Sequence, residues 1–203
     1  EVMRNIARKF WKDEKAVDFS TYEGKAEVAY IIQNRQYAKE NLVACDFMYP
    51  LVTADGTEDH VGDPTLESRL LSAVTGIDFS EEAYYRTGER VFNLQRAIQG
   101  REEGRVGRKD DQPNEFNFAE PFDGEPGFFE VFNPEYMLPG QGDELVSRKG
   151  KVVERDKFEK MMDEYYTIRG WDVKSGLQKK ERLEQLELSD IVPDLRKKGL
   201  MAE

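Results

Sequence analysis

The sequence predicts an all-α fold, an irregular helical domain with a small β-hairpin near 145–153. Three observations carry that expectation. Apolar residues recur at helical spacing in several segments. Those segments open and close on recognisable caps. Five of the eight prolines crowd into residues 101–145, where they exclude long regular elements.

The elements follow in order. From Tyr22 to Lys39 no breaker intervenes, and Val28, Ile31 and Ile32 fall near one face, so an amphipathic helix is expected. Residues 40–50 then become apolar and irregular up to Pro50, and 53–60 read as a polar loop. Asp63-Pro64 predicts a helix start, with an apolar stripe of Leu66, Leu70, Leu71 and Val74 and a left-handed cap at Gly76. Ser80 opens the next helix, with Glu81 and Glu82 in its first turn and Tyr84, Val91, Leu94 and Ile98 on its way to Gly100.

In the proline-rich stretch, Phe116, Phe118, Phe122, Phe128, Phe129 and Phe132 predict packing against something other than water. Leu145-Val146-Ser147 and Lys151-Val152-Val153, joined by Arg148-Lys149-Gly150, form the expected hairpin. A helix opening at Arg155 or Asp156 carries Phe158, Met161, Met162, Tyr165 and Ile168 and ends at Gly170. After Gly176, two short helices hold Leu183, Leu186 and Leu188, then Ile191, Val192 and Leu195. Leu70, Leu71, Val74, Val91, Leu94, Met161 and Tyr165 are expected to share a core.

Length and composition narrow the function classes. At 203 residues and 38% hydrophobic, one domain spanning 1–203 can bury a core without disulfide or metal staples. Thirty basic against 41 acidic residues leave a net charge of −11, which repels phosphate backbones and anionic lipid; nucleic acid and membrane are excluded as partners. A single cysteine excludes an internal disulfide and suits a reducing, cytoplasmic setting.

That cysteine, Cys45, carries any thiol chemistry. Locally it reads either as a small buried hydrophobe beside Phe47 and Met48 or as a ligand. The one histidine, His60, lies in the polar loop, so a Cys–His nucleophile is not expected. Gly100-Arg-Glu-Glu-Gly-Arg-Val-Gly lacks the strand before it and the Lys-Ser/Thr after it that a phosphate loop needs. Arg90, Arg96, Arg169 and Trp171 read as packing residues and buried partners of carboxylates.

Several blocks taken together point further. Leu70-Leu-Ser-Ala-Val-Thr-Gly is followed by Gly88-Glu-Arg-Val-Phe-Asn-Leu-Gln-Arg, then by Arg101-Glu-Glu-Gly and Asp110-Asp-x-Pro113. Later come Tyr165-Tyr-x-x-Arg-Gly-Trp-Asp172, Gly176 and Leu183-x-x-Leu-x-Leu188. This series resembles the C-terminal region of the tungsten-dependent aldehyde:ferredoxin oxidoreductase family, over about residues 23–195 apart from the Phe/Pro-rich part of 114–150. The resemblance implies an enzyme that oxidises an aldehyde to a carboxylic acid at tungsten, or molybdenum, held by two pterins. It also implies a 4Fe-4S cluster that passes electrons to ferredoxin.

In that family the fourth cluster cysteine ends a D-x-x-G-L-C segment. Glu40-Asn-Leu-Val-Ala-Cys45 stands in its place, so the resemblance makes Cys45 a cluster ligand and Glu40 a pterin contact. Glu40 replaces the family's Asp, and Val43-Ala44 replace Gly-Leu. The chain is thus expected to be a C-terminal fragment of a longer enzyme, inactive alone and without bound cofactor. Its expected partners are the remaining domains, ferredoxin and an aldehyde, with homo-oligomerisation left open. The alternative is a free-standing helical interaction module derived from the family, with Cys45 inert.

Overall fold

The computed structural model describes residues 1–45, 52–124 and 131–202; Phe47, Met48, Pro50, Pro126, Phe128 and Phe129 lie outside them. The fold is mostly helical, with two small two-stranded sheets. The helices are α1 (Val2–Ile6, continued by a π-turn over Ala7–Trp11), α2 (Lys25–Asn41), α3 (Leu66–Thr75), α4 (Glu81–Glu103) and the single turn α5 (Phe116–Ala119). They continue with α6 (Arg155–Arg169), α7 (Lys180–Gln185) and α8 (Val192–Lys197). Among the described residues no helix is long and apolar enough to cross a membrane.

Caps explain where the long helices start and stop. The Ser80 hydroxyl accepts from the Ala83 N–H at 3.1 Å, satisfying one of the donors that a helix N-terminus leaves free, as expected. Gly76, Gly104 and Gly170 end α3, α4 and α6 in the left-handed conformation. The second expected helix begins two residues late. Asp63 folds into a turn in which its carboxylate accepts from the Thr65 N–H and hydroxyl, and the helix proper opens at Leu66.

The hairpin forms with a different partner. β2 (Leu145–Ser147) pairs antiparallel with β1 (Met137–Pro139), with Leu138 opposite Val146, and not with 151–153. The Arg148-Lys149-Gly150 turn sends the chain outward. The Phe122 N–H donates to the Lys151 carbonyl at 2.9 Å, the Gly150 N–H donates to the Phe122 carbonyl at 2.8 Å, and the Val153 N–H donates to the Asn117 carbonyl at 2.8 Å. Pro139 sits at the edge, where its missing donor costs nothing, and its carbonyl accepts from the Phe19 N–H at 2.9 Å. The second sheet, β3 (Gln178–Lys179) beside β4 (Met201–Ala202), is parallel and joins the C-terminus to the body.

The core is divided, not common. Ala97, Leu183, Leu186, Leu188, Val192, Leu195 and Met201 form one cluster, with Leu94 against it. Ala26, Met162, Tyr165, Tyr166 and Trp171 form a second, with Met161 and Phe92 against it. Ala7, Ala16, Val17 and Val28 form a third, built on an N-terminal segment that carried no clear sequence signal.

Two expected faces are corrected. Ile32 of α2 is exposed, because the inward face runs through Ala26, Ala29, Tyr30, Gln33, Asn34 and Ala38. In α3, Leu70 is 51% and Val74 85% exposed, and Leu71 is half-buried, so the apolar stripe does not face the core. Glu67 and Ser68 point inward instead. Glu67 accepts a 2.7 Å bond from Arg35 of α2, and this buried ion pair fixes the rotation of the helix. A carboxylate and a guanidinium that are both removed from water cannot be separated cheaply, and they override the pattern of leucines.

Candidate functional site

The expected site residues sit at the C-terminal end of α2. There the Leu42 N–H donates to the Lys39 carbonyl and the Val43 N–H to the Glu40 carbonyl, both at 2.9 Å, closing the helix in a tight turn. Val43 holds φ 56°. A β-branched residue is strained in that left-handed region, which glycine enters freely. The position is the one where the family segment carries Gly.

Cys45 follows two residues later, and it is exposed. The buried-hydrophobe reading therefore does not hold for it. Glu40 is on the last turn of α2, exposed, and accepts from the Gln36 side-chain amide at 2.5 Å. Both residues thus belong to one helix end and face solvent. His60 is also exposed, on its own loop with φ 54°. Among the described residues no group of three His, Cys, Asp or Glu side chains gathers to hold a metal ion, so no complete metal site lies within them.

The other residue blocks singled out in the sequence converge on the interior, where α2, α4 and α6 meet. Gly88 of α4 touches α2: a Cβ there would stand 2.0 Å from the Asn34 carbonyl oxygen and 2.6 Å from the Ala38 nitrogen. This close approach brings the side chains of α2 within reach of α6. Arg169, fully buried, donates to the Tyr165 hydroxyl at 2.9 Å, to Asn34 Oδ1 at 2.6 Å and to Gln33 Oε1 at 2.6 Å. Its guanidinium lies 4.3 Å from the Phe92 ring centre and 4.6 Å from that of Tyr30. Neutral oxygens and ring faces thus carry the charge, where carboxylate partners were expected. Desolvation lowers its proton affinity, offset by Tyr165 and the nearby Glu89.

Trp171 lies beside it. Its indole N–H donates to Asn93 Oδ1 at 2.9 Å, and the Gln178 amide donates to the same oxygen at 2.8 Å. Arg96 stacks 4.1 Å from the Trp171 ring centre and pairs bidentately with Asp111 at 3.0 and 2.6 Å. Burial pushes the Tyr166 hydroxyl well above its ordinary range, so it stays protonated and donates to Asp111 at 2.7 Å. Arg90 is not part of this network; it is exposed and reaches the Glu187 carbonyl.

Sequence reasoning found Arg96, Arg169 and Trp171 but missed Gln33, Asn34, Asn93 and Gln178. A signal existed for the first two: Gln33-Asn34 interrupt the otherwise small and apolar inward face of α2. Polar residues at such a place are tolerated only with partners.

The family model described as aldehyde ferredoxin oxidoreductase, domains 2 & 3, matches residues 3–188. Among solved structures, the chain is similar to the active site complex BamBC of benzoyl coenzyme A reductase in complex with 1,5 dienoyl-CoA. The TM-score is 0.57 at 17% sequence identity, over 91% of this chain. The match spans 22% of the other chain, so the likeness concerns the fold of one portion of a larger molecule.

Proposed function

Because the chain belongs to the aldehyde ferredoxin oxidoreductase family, we propose that it is the C-terminal domain of a multidomain enzyme that oxidises an aldehyde to a carboxylic acid and delivers the electrons to ferredoxin. The observation that carries this reading is the placement of Cys45. The only thiol of the chain is exposed, just past the end of a helix anchored in the core, where a ligand can reach a centre outside the domain.

The donor set fits one portion of such a centre. A 4Fe-4S cluster takes four thiolates, and soft sulfur is the appropriate donor for it. The chain has one cysteine. Three ligands would then come from another part of the enzyme, and Cys45 would complete the set. Glu40, on the last turn of α2 and braced by Gln36, would accept a hydrogen bond from a pterin amino group. When bound, the tungsten or molybdenum bis-pterin supplies two-electron oxidation chemistry and the cluster supplies single-electron transfer. The contribution of this chain is positional: α2 is clamped through Asn34 and Gln33 to α6, and it presents Glu40 and Cys45 at its far end. The 203-residue chain on its own is accordingly inactive and carries no cluster, and its setting is cytoplasmic.

Cys45→Ala in the whole enzyme tests the assignment. Iron and acid-labile sulfide content should fall, together with aldehyde-dependent ferredoxin reduction. An enzyme with unchanged iron, sulfide and ferredoxin reduction would eliminate Cys45 as a ligand and leave the domain as a helical interaction module.

A further inference from the structure

Arg169 is fully buried, yet among the described residues its guanidinium meets no carboxylate at ion-pair distance. It donates to the Asn34 and Gln33 amide oxygens and to the Tyr165 hydroxyl, all neutral. The other ions of the junction between α2, α4 and α6 are matched. Arg96 has Asp111, and Arg182 has Glu89, which also accepts from the Tyr30 hydroxyl at 3.0 Å. Glu89 lies near enough to favour the charge on Arg169 but is already engaged by Arg182. Among the described residues the junction thus holds one cation more than it holds carboxylates.

A cation taken out of water without a counter-ion is penalised, and a neutral donor could satisfy the same oxygens without that penalty. Packing alone therefore does not require the charge. Its position suggests another use. Asn34, its partner on α2, is seven residues from the last residue of that helix, about 10 Å along the axis, and Cys45 follows just beyond. A buried charge is screened far less than an exposed one, so its field reaches that end of the helix. The same end carries the negative pole of the helix dipole, which opposes added negative charge at Cys45. The Arg169 charge acts against that pole.

We propose that Arg169 sets the reduction potential of the iron–sulfur centre that Cys45 completes, its carboxylate-free charge favouring the reduced, more negative state of the centre. Net charge is one of the factors that fix the potential of such a cluster. The inference rests on the reading of Cys45 as a cluster ligand.

The test is a redox titration of the whole enzyme, with the reduced cluster followed by electron paramagnetic resonance. Asn34→Asp is the central variant. It keeps the shape of the side chain and the bond from Arg169, but it sets a carboxylate against the guanidinium and cancels the charge. At a fixed potential the ratio of reduced to oxidised cluster should fall at least threefold, which lowers the midpoint by about 30 mV for one electron. Arg169→Met should lower it likewise. Arg169→Lys, which keeps the charge and loses the planar fork, should stay within that margin of the parent. A parent enzyme without a cluster would remove the reading of Cys45, and the inference with it. A cluster that is present but has an unmoved midpoint in Asn34→Asp would overturn the inference alone. Loss of the cluster in Asn34→Asp would do the same, since Asn34 and Arg169 would then serve structure only. A midpoint in Arg169→Lys as low as in Arg169→Met would also overturn it, because the fork and not the charge would then matter.

Discussion

The interior where α2, α4 and α6 meet and the outer end of α2 are built on opposite terms. In the interior, Arg169, Trp171, Asn93 and Asn34 each satisfy a partner, and the helices approach so closely that Gly88 has no room for a Cβ. At the outer end, Val43 is 94% exposed in a strained backbone conformation, Cys45 faces solvent, and the apolar side chains of α3 point outward. In the first region polar side chains are partnered by one another; the second offers surface. The residues that make the chain resemble its family are thus of two kinds. Gly88, Tyr165 and Arg169 hold α2 in place, and the Glu40–Cys45 segment is presented by it.

The contrast can be broken most severely at Gly88. Adding one methyl group puts a carbon within 2.0 Å of a backbone oxygen on α2, and neither helix backbone can yield locally. Gly88→Ala should cost on the order of 3 kcal/mol or leave no cooperative transition in urea. Gly56→Ala, where a new Cβ meets nothing within 4 Å, is the control and should leave the urea midpoint unchanged. A Gly88→Ala protein as stable as the parent would mean that α2 and α4 do not cross as closely as described.

Arg169 sharpens the comparison from the electrostatic side. Arg169→Met keeps much of the apolar stem but removes the donors to Asn34, Gln33 and the Tyr165 hydroxyl. Three buried oxygens then lose a partner, at a cost of roughly 3 kcal/mol in total. Arg169→Lys should recover little of this, since an ammonium cannot reproduce the planar fork or stack on Phe92 and Tyr30. Full recovery by lysine in urea unfolding would show that charge alone, and not geometry, holds the junction.

How far the sequence disclosed this arrangement depends on which physical signal each part used. Helix ends marked by Ser80, Gly76 and Gly170 were legible because capping is local: the residue that stops the helix lies beside it. The small C-terminal helices were legible from Leu183, Leu186, Val192 and Leu195 for the same reason, apolar spacing within a few residues. The rotation of α3 was not. It depends on Arg35, 32 residues from Glu67, and no periodicity in 66–75 reveals that the partner exists. The strand partner of 145–147 was misread because the nearer candidate, 151–153, had the better composition, whereas the pairing segment contains a proline. At the site, Cys45 and Glu40 were reached through resemblance, since one thiol and one carboxylate form no pattern by themselves. The supporting network was half legible: charged and aromatic residues draw notice in a sequence, while Asn93 and Gln178 acquire meaning only when the indole and the helix ends are placed beside them.

The smallest expected effect lies at the outer end of α2 and runs in the opposite direction. Val43 follows the last turn in the position that helices commonly give to glycine, and at φ 56° its branched side chain crowds the backbone. Val43→Gly removes that conflict. The side chain is 94% exposed, so little packing is lost with it. The gain is on the order of 1 kcal/mol, reduced by the extra freedom that glycine gives the unfolded chain. A rise of the urea midpoint is therefore expected, in contrast to the losses at Gly88 and Arg169. A fall would mean that the valine side chain is held by contacts and that the turn is packed like the interior. The substitution also separates strain from placement: in the whole enzyme, iron and sulfide content should be retained in Val43→Gly, because the hydrogen bonds from 42 and 43 to Lys39 and Glu40 that set the turn use backbone groups only. Loss of the cluster with a more stable helix end would show that the strained valine itself is needed to hold Cys45 in position.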